Sequence, residues 1–222
     1  GLRVGQKRVS ENFAKDILIV NAGRTSMQAG GVRAGRVLRW RDTDHLDVAA
    51  QAPACKYVLP ELGNTVAVTS AYNSASLLVT GSLPEFAEIR TIPVAEGRFY
   101  NDADSAEARR VAFLGSDAKK QLFGSHEAIG ATVYLGDFPY TVIGVMQEKR
   151  QDSSYDGRDV SKVFIPFGTM IRDFPNRPPS PRNSVDRLLV VPRSVAHHDE
   201  CEWQMRSALA RIHGFDPRDE EA

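Results

Sequence analysis

Residues 131–145 read ATVYLGDFPYTVIGV and carry the clearest secondary-structure pattern in the middle of the chain. Apolar and polar side chains alternate over 131–135 and again over 140–145, and a period of two is typical of a strand with one buried face. The intervening 136–139, Gly-Asp-Phe-Pro, are residues that favour a tight turn. Two alternating runs joined by a short turn predict a β-hairpin.

Shorter elements on both sides of this hairpin make the middle of the chain a small β-rich unit. In chain order the sequence predicts a short helix at 84–89, an exposed turn at 97–100, an acidic, alanine-rich loop at 101–108, a strand at 111–115, a helix that ends at 122–124, and a strand at 162–166. Ser116 or Asp117 can cap the longer of these helices. Four prolines within 172–181 predict an irregular connection that marks a boundary.

The two ends of the chain share a βα pattern. The sequence of the first end predicts a weakly amphipathic helix at 3–15, a strand at 17–20 and a flexible loop or extended hairpin at 23–35. A helix opened by Asp42 and stopped by Pro53 follows. Strands are then predicted at 57–60, 65–70 and 76–80, and turn residues at 63–64 separate the first two. The last end predicts a strand at 185–191 and a helix opened by Asp199 or Glu200 and ended at 213–214. We therefore predict an α+β fold in which both ends share one sheet and the middle is inserted between them.

Composition sets the class of protein. The chain has 222 residues, 42% of them apolar, with 28 basic and 28 acidic side chains and a formal net charge of zero. This apolar content supports a folded core and excludes disorder, and no run approaches the roughly 20 apolar residues that span a bilayer. A neutral chain argues against a nucleic-acid partner.

The neutral total hides a basic first segment. Residues 1–41 contain nine basic and two acidic side chains. Two interpretations stay open at this stage, a solvated N-terminal arm or a surface close to a membrane or an acidic partner. Because the chain begins with Gly1 rather than methionine, we expect it to be a piece of a longer protein.

The two cysteines, Cys55 and Cys201, form neither a Cys-x-x-Cys pair nor a zinc-ligand spacing. Sequence leaves two alternatives open. They are free thiols, or they form a long-range disulfide if the chain is extracytoplasmic.

No sequence motif for catalysis or phosphate binding is present. The sequence has no Walker-type phosphate loop, no Gly-x-Gly-x-x-Gly, no Gly-x-Ser-x-Gly and no His-Glu-x-x-His. Residues 197–201, His-His-Asp-Glu-Cys, contain metal-ligand side chains. Adjacent helical positions point about 100° apart, so these side chains cannot all reach one ion. A solvated helix start, where the dipole favours acids, explains them better.

The remaining candidates also favour structural roles. Asp102, Asp104 and Glu107 lack the glycine and terminal glutamate of an EF-hand, and a solvated acidic loop explains them. We expect His45, on a helix, to be structural. His126 and Glu127 have no nucleophile near them in the sequence. We expect the two tryptophans, Trp40 and Trp203, to be packing residues. A hydrolase is a further hypothesis, and its activity would have to depend on His126 or His197. We therefore expect no catalytic, cofactor-binding or metal-binding residues and no cofactor.

Eight segments in order carry a resemblance to a known family. They are GSLPEFAEIR (81–90), VAEGRFY (94–100), RVAFLG (110–115), QLFG (121–124), IG (129–130), YTVIGV (140–145), VFIPFGTM (163–170) and HGFDP (213–217). Together they resemble the extracytoplasmic core domain of MacB-type ABC transporter permeases, in the MacB/FtsX/LolC-like superfamily. Each segment alone is weak, but the order and spacing are specific.

The resemblance implies a two-lobed architecture. It predicts an α/β, porter-like lobe formed by residues 1–83 and 182–222, and an inserted, β-rich, sabre-like lobe formed by residues 84–181. It also implies that membrane helices flank the domain, with 3–15 continuing the first helix outward and 216–222 leading to the second.

The same resemblance implies a function without bond chemistry. The domain would couple the cycle of a cytoplasmic ATPase to export or extraction of a substrate, in a periplasmic location on the inner membrane. The implied partners are a second permease copy, the ABC ATPase and, for part of the superfamily, a periplasmic adaptor and an outer-membrane channel. The alternative is a free-standing extracytoplasmic protein that binds a ligand between its lobes or acts in adhesion.

Overall fold

The computed structural model describes residues 16–31, 33–149 and 157–222. The strands are β1 (Leu18–Asn21), β2 (Trp40–Arg41), β3 (Cys55–Thr69), β4 (Ser74–Ser82), β5 (Val94–Gly97), β6 (Val111–Leu114), β7 (Thr132–Leu135), β8 (Phe138–Met146), β9 (Val163–Pro166), β10 (Ser184–Val185) and β11 (Arg187–Pro192). The helices are α1 (Asp44–Gln51), α2 (Phe86–Ile89), α3 (Asp102–Ala106), α4 (Ser116–Phe123), α5 (Phe167–Asp173) and α6 (His198–His213). The helix expected at 3–15 lies outside the described residues.

The chain divides into two compact units. Unit 1 combines the chain up to Glu61 with the segment from Asn176 onward, and unit 2 is Leu62–Pro175. The change between units falls inside β3, whereas the lobes expected from the sequence divide after β4. Those lobe boundaries stay a prediction. The mixed α/β class and the insertion of the middle between the two ends are confirmed.

Unit 1 is built on a three-stranded antiparallel sheet to which both chain ends contribute. β11 lies in the middle, with Leu189 opposite Ile19 of β1 on one side and opposite Leu59 of β3 on the other. α6 packs on β11 and contacts α1. The buried positions of α6 recur at helical spacing on one face, Cys201, Met205, Ala208 and Leu209. The sheet of this unit is therefore the one predicted to be shared by the two chain ends.

A disulfide joins the two chain segments of unit 1. Cys55 starts β3 and Cys201 lies in the second turn of α6, and their sulfurs are bonded with the Cα atoms 4.9 Å apart. Both residues are buried. Of the two alternatives that the sequence left open for the cysteines, the disulfide is the one formed.

Unit 2 contains a closed ring of strands. The C-terminal half of β3 pairs with β4, β4 with β9, β9 with β6, β6 with β8, β8 with β7, and β7 returns to β3. β5 pairs with β8 beyond the end of β7. Inside, Phe86, Phe113 and Phe164 are buried, with neighbouring ring centroids 5.9 and 6.2 Å apart. The β7–β8 hairpin predicted at 131–145 is confirmed.

Two local predictions were wrong. Gly63 and Asn64 do not turn the chain, because β3 continues through them and pairs Gly63 with Thr80 across the ladder. The acidic loop at 101–108 is the short helix α3. Asn101 and Asp104 form a reciprocal capping box, in which each side chain accepts a hydrogen bond from the other's backbone N–H.

Two smaller differences concern burial and capping. The exposed turn at 97–100 instead ends β5 and buries Tyr100, which is 2% exposed. The N-cap position of α1 is Thr43 rather than Asp42, and its side chain makes no capping hydrogen bond. For the stretch at 23–35 the sequence predicts a flexible loop or an extended hairpin. Arg24 in this stretch forms a β-bridge with Val37, which indicates the hairpin.

Candidate functional site

The histidine-rich start of α6 separates into different environments. His197 contacts the hydroxyl of Ser194 at 2.6 Å, and Cys201 is in the disulfide. His198 Nδ1 lies 2.9 Å from the carboxylate of Asp16. The potential ligand atoms of His198, Asp199 and Glu202 lie within 4.8 Å of one another. The structure thus brings together only part of the sequence cluster.

A neighbouring arginine and the dipole of α6 limit this group as a metal site. Arg206 Nε lies 3.4 Å from a carboxylate oxygen of Glu202 and neutralises that potential ligand. Asp199 is exposed in the first turn of α6, where the helix dipole favours an anion and opposes a cation. The charges therefore support the start of a helix better than an ion.

Two members of the acidic set at 102–107, Asp104 and Glu107, form ion pairs with arginines. Asp104 is fully buried and accepts hydrogen bonds from Arg98 at 2.6 Å and Arg109 at 3.2 Å. Burial alone would raise the pKa of Asp104, but the hydrogen bonds from Arg98 and the Asn101 backbone outweigh it and the pKa is lowered. Glu107 pairs with Arg109. These contacts fix α3.

The other histidines described below and the two tryptophans do not come together in one site. His126 stacks on the exposed Tyr72 ring, with centroids 3.9 Å apart. His45 is buried in α1, and burial lowers its pKa. Trp40 is fully buried, and its indole N–H donates to the carbonyl of Val20 at 3.1 Å. Trp203 differs from the expected packing residue, because it is 51% exposed on α6.

Sequence reasoning missed a buried carboxylate in unit 2. Asp173, at the end of α5, accepts hydrogen bonds from Tyr140 Oη at 2.6 Å and from Arg110 at 2.9 Å, and it pairs with the neighbouring Arg172 at 3.0 Å. Burial opposes the charge, but the arginine hydrogen bonds prevail and lower the pKa of Asp173 to about 2. Arg110 lies 63 residues from Asp173, so no local pattern indicates this pair.

A second buried charge group lies in the same unit. Asp159 accepts hydrogen bonds from Arg90 at 2.7 Å and from Lys162 at 3.0 Å, and all three side chains are at most 2% exposed. Removing one member of a buried ion pair costs about 3–5 kcal/mol because its partner stays buried and charged. This group holds the segment before β9 against the helix α2.

Unit 1 also has a buried charged group, and it lies at the end of α6. His213 contacts the buried carboxylate of Asp44, and Arg36 donates from its guanidinium to the carbonyl oxygens of His213 and Gly214. Burial would raise the pKa of Asp44, but the hydrogen bonds from His213 and the Arg41 backbone lower it overall. Gly214 ends the helix in the left-handed conformation, with φ of +68°.

One open groove lies in each unit among the described residues and carries several charged side chains. One, of about 380 Å³, lies in unit 1 beside Trp203, Arg206 and Arg218. The other, of about 630 Å³, lies in unit 2 beside β5, Lys120 and Glu148. Both carry paired charges, Arg218 with Asp216 and Lys120 with Glu148. Neither groove contains an arrangement of nucleophile, base and orienting group.

The ion pairs described above therefore join structural elements of the fold. The chain matches the family model of the MacB-like periplasmic core domain over residues 3–208 and belongs to that family. It is a periplasmic domain of the type found in MacB-like ABC transporter permeases, as the sequence resemblance predicted.

Curated relatives agree with this family. The pyoverdine export ATP-binding/permease protein PvdT of Pseudomonas aeruginosa is 36% identical over 170 residues, which cover 75% of this chain and 25% of the relative. The macrolide export ATP-binding/permease protein MacB of Vibrio parahaemolyticus is 26% identical over 141 residues, covering 64% and 21%. The chain thus spans about a quarter of the length of these relatives.

Solved structures share the fold. The periplasmic region of MacB from Actinobacillus actinomycetemcomitans superposes with a TM-score of 0.72 at 15% identity, covering 96% of this chain and 90% of that one. The extracellular domain of the transporter YknZ from Gram-positive bacteria gives 0.68 at 18% identity, covering 81% and 87%. Among the described residues, no helix is both long and apolar enough to cross a membrane.

Proposed function

We propose that this chain is the extracytoplasmic part of the permease of an ABC exporter, which couples the ATPase cycle to export or extraction of a substrate by conformational change and partner contact. The family match over residues 3–208 carries the proposal. ATP hydrolysis would reside in a separate nucleotide-binding domain or subunit. A second permease copy and the ATPase are the proposed partners, with a periplasmic adaptor and an outer-membrane channel as further ones.

The disulfide supports the proposed compartment. Disulfides persist in the periplasm and outside the cell, whereas cytosolic thiols are kept reduced. Cys55 and Cys201 are both buried and bonded to each other, and the sequence contains no third cysteine. An extracytoplasmic domain accounts for this pair without a catalytic or metal-binding role for either sulfur.

The use of ionisable groups supports a role without bond chemistry. Among the described residues of unit 2, Asp104, Asp159 and Asp173 have the most buried carboxylates, and arginine or lysine contacts each of them. A general base needs a pKa near the working pH. The pKa values of Asp104 and Asp173 are instead lowered, so these groups remain charged and hold helices in place.

The division into units supports conformational coupling. The chain crosses between units twice, at 61/62 and at 175/176. Few crossings allow hinge motion, in which a few residues absorb the change in backbone angles. We propose that such motion accompanies the ATPase cycle.

Transport by the complete parent protein tests the proposal. The parent protein and its ATPase are reconstituted in proteoliposomes, and ATP-driven movement is measured for a siderophore of the pyoverdine class and for a macrolide, the cargoes in the relatives' names. We expect ATP-dependent transport of a compound of one of these classes, lost when the ATP analogue cannot be hydrolysed. A parent gene product without apolar segments of about 20 residues beside this domain would refute the proposal.

A further inference from the structure

The most one-sided charge in unit 1 lies in residues 23–41, which we call the arginine loop. From Ile17 to Arg41 the sequence has five arginines and no aspartate or glutamate. The structure describes the loop except for residue 32. Its exposed side chains include two large apolar ones, Met27 at 38% and Val37 at 42%. Exposed arginines beside exposed apolar side chains are typical of a surface that meets lipid headgroups.

The backbone of the arginine loop is held in place. The N–H of Thr25 donates to the carbonyl of Arg36 at 2.9 Å, and the N–H of Leu38 donates to the carbonyl of Gly23 at 2.8 Å. The carboxylate of Asp219 accepts hydrogen bonds from the Ser26 hydroxyl and from the backbone N–H groups of residues 26 and 27. The loop therefore projects from a fixed base.

Its arginines divide into two groups. Arg36 contacts the last carbonyls of α6, and Arg41 pairs with Asp44 at 3.5 Å. The other three arginines are Arg24, Arg33 and Arg39. All three are exposed, and none of them pairs with a carboxylate among the described residues. Among the residues that the structure describes, these three guanidinium groups have no counter-charge and remain for a ligand. The planar guanidinium donates two parallel hydrogen bonds to phosphate.

We propose that the arginine loop binds the phosphate headgroups of anionic phospholipids, with Arg24, Arg33 and Arg39 as the contacts and Met27 at the headgroup–acyl boundary. This inference rests on the proposed function only for the position of the loop near a membrane. The binding chemistry is that of the loop's own side chains. The loop follows β1 directly, and the N–H of Arg24 donates to the carbonyl of Glu221. In a permease, both segments would continue toward membrane helices.

Vesicle binding by the 222-residue chain tests this inference. The purified chain is pelleted with vesicles of phosphatidylglycerol and phosphatidylcholine, or of phosphatidylcholine alone, at low ionic strength. We expect partition onto the anionic vesicles only, decreasing as salt screens the charges. Each arginine near an anionic surface contributes roughly a five-fold factor, so replacing Arg24, Arg33 and Arg39 by glutamine should weaken partition by about 100-fold.

A charge-matched variant is the control. Glutamine at three exposed arginines outside the loop, Arg177, Arg182 and Arg211, removes the same charge and should leave most of the binding. Circular dichroism and the unfolding midpoint of each variant check that it is folded. Glu221→Gln, beside the base of the loop, should strengthen partition.

Several outcomes would overturn the inference. They are no binding by the wild type, equal binding to neutral vesicles, equal losses in the two triple variants, and binding to polyglutamate without binding to vesicles. The last result would identify an acidic polypeptide as the ligand. Transport by the parent protein does not depend on these measurements, so failure here leaves the proposed function standing.

Discussion

Breaking the Cys55–Cys201 disulfide should destabilise the folded chain. The bond closes a loop of 146 residues that contains all of unit 2. When both units are unfolded, the loss of chain entropy in the denatured state predicts a stabilisation of about 5 kcal/mol for a loop of this length. With a urea m-value of roughly 2–3 kcal/mol/M, the midpoint of unfolding should fall by about 2 M. We expect this shift for the Cys55→Ala/Cys201→Ala double variant and for the reduced wild type.

The tryptophans make the effect measurable in one unit. The sequence has two, Trp40 and Trp203, and both belong to unit 1. Because Trp40 is fully buried, its fluorescence should change strongly when unit 1 unfolds, while circular dichroism reports both units. Separate transitions by the two probes would show that the units do not unfold in one step.

The reduced wild type is the matched control for packing. It keeps both sulfurs and loses only the bond, so its difference from the alanine variant measures the small cavity at Cys55 and Cys201. Fluorescence midpoints that agree within about 0.3 M for the oxidised and reduced chain would refute the reasoning.

Two further predictions concern unit 2. Asp173→Asn should lower the free energy of unfolding by about 2 kcal/mol, because Arg110 and Tyr140 contact the charged carboxylate. Since the folded pKa is about 2 and the usual value is 3.8, the wild type should keep this stability above about pH 4 and lose it as pH falls toward 2. Gly97→Ala should cost at least about 2 kcal/mol more than Gly130→Ala, since both have positive φ but a β-carbon at Gly97 alone would meet backbone.

Urea unfolding followed by circular dichroism at several pH values checks both. The Asp173→Asn chain should show a flatter acid dependence than the wild type, and identical profiles would contradict the assigned pKa. Equal losses at Gly97 and Gly130 would show that backbone angle, not the contact with the carbonyl of Ile143, sets the cost.

Much of the fold was predictable because it is encoded by local periodicity. The alternation over 131–145 predicted the β7–β8 hairpin, and Gly124 predicted the end of α4. The prediction failed at Gly63, where glycine and asparagine indicate a turn but pairing with β4 keeps the chain extended. It also missed α3, although Asn101 and Asp104 have the spacing of a capping box.

The side-chain groups were less predictable because they join distant segments. Asp16 meets His198 across 182 residues, and Asp44 meets His213 across 169. The exposure of Trp203 depends on which face of α6 packs on β11, and adjacent residues alone do not determine that face. In contrast, the basic bias of the first 41 residues was visible, and the structure adds which of those arginines are already engaged.

β3 belongs to both units, and this sharing constrains how the chain can vary in length. Leu59 is paired with β11, and Leu62 is paired with β4, only three residues later on the same strand. Because side chains alternate faces, one residue inserted between Glu61 and Leu62 would reverse the faces of one half of the strand relative to the other, while two would preserve them. Length changes at this junction should therefore be tolerated in steps of two.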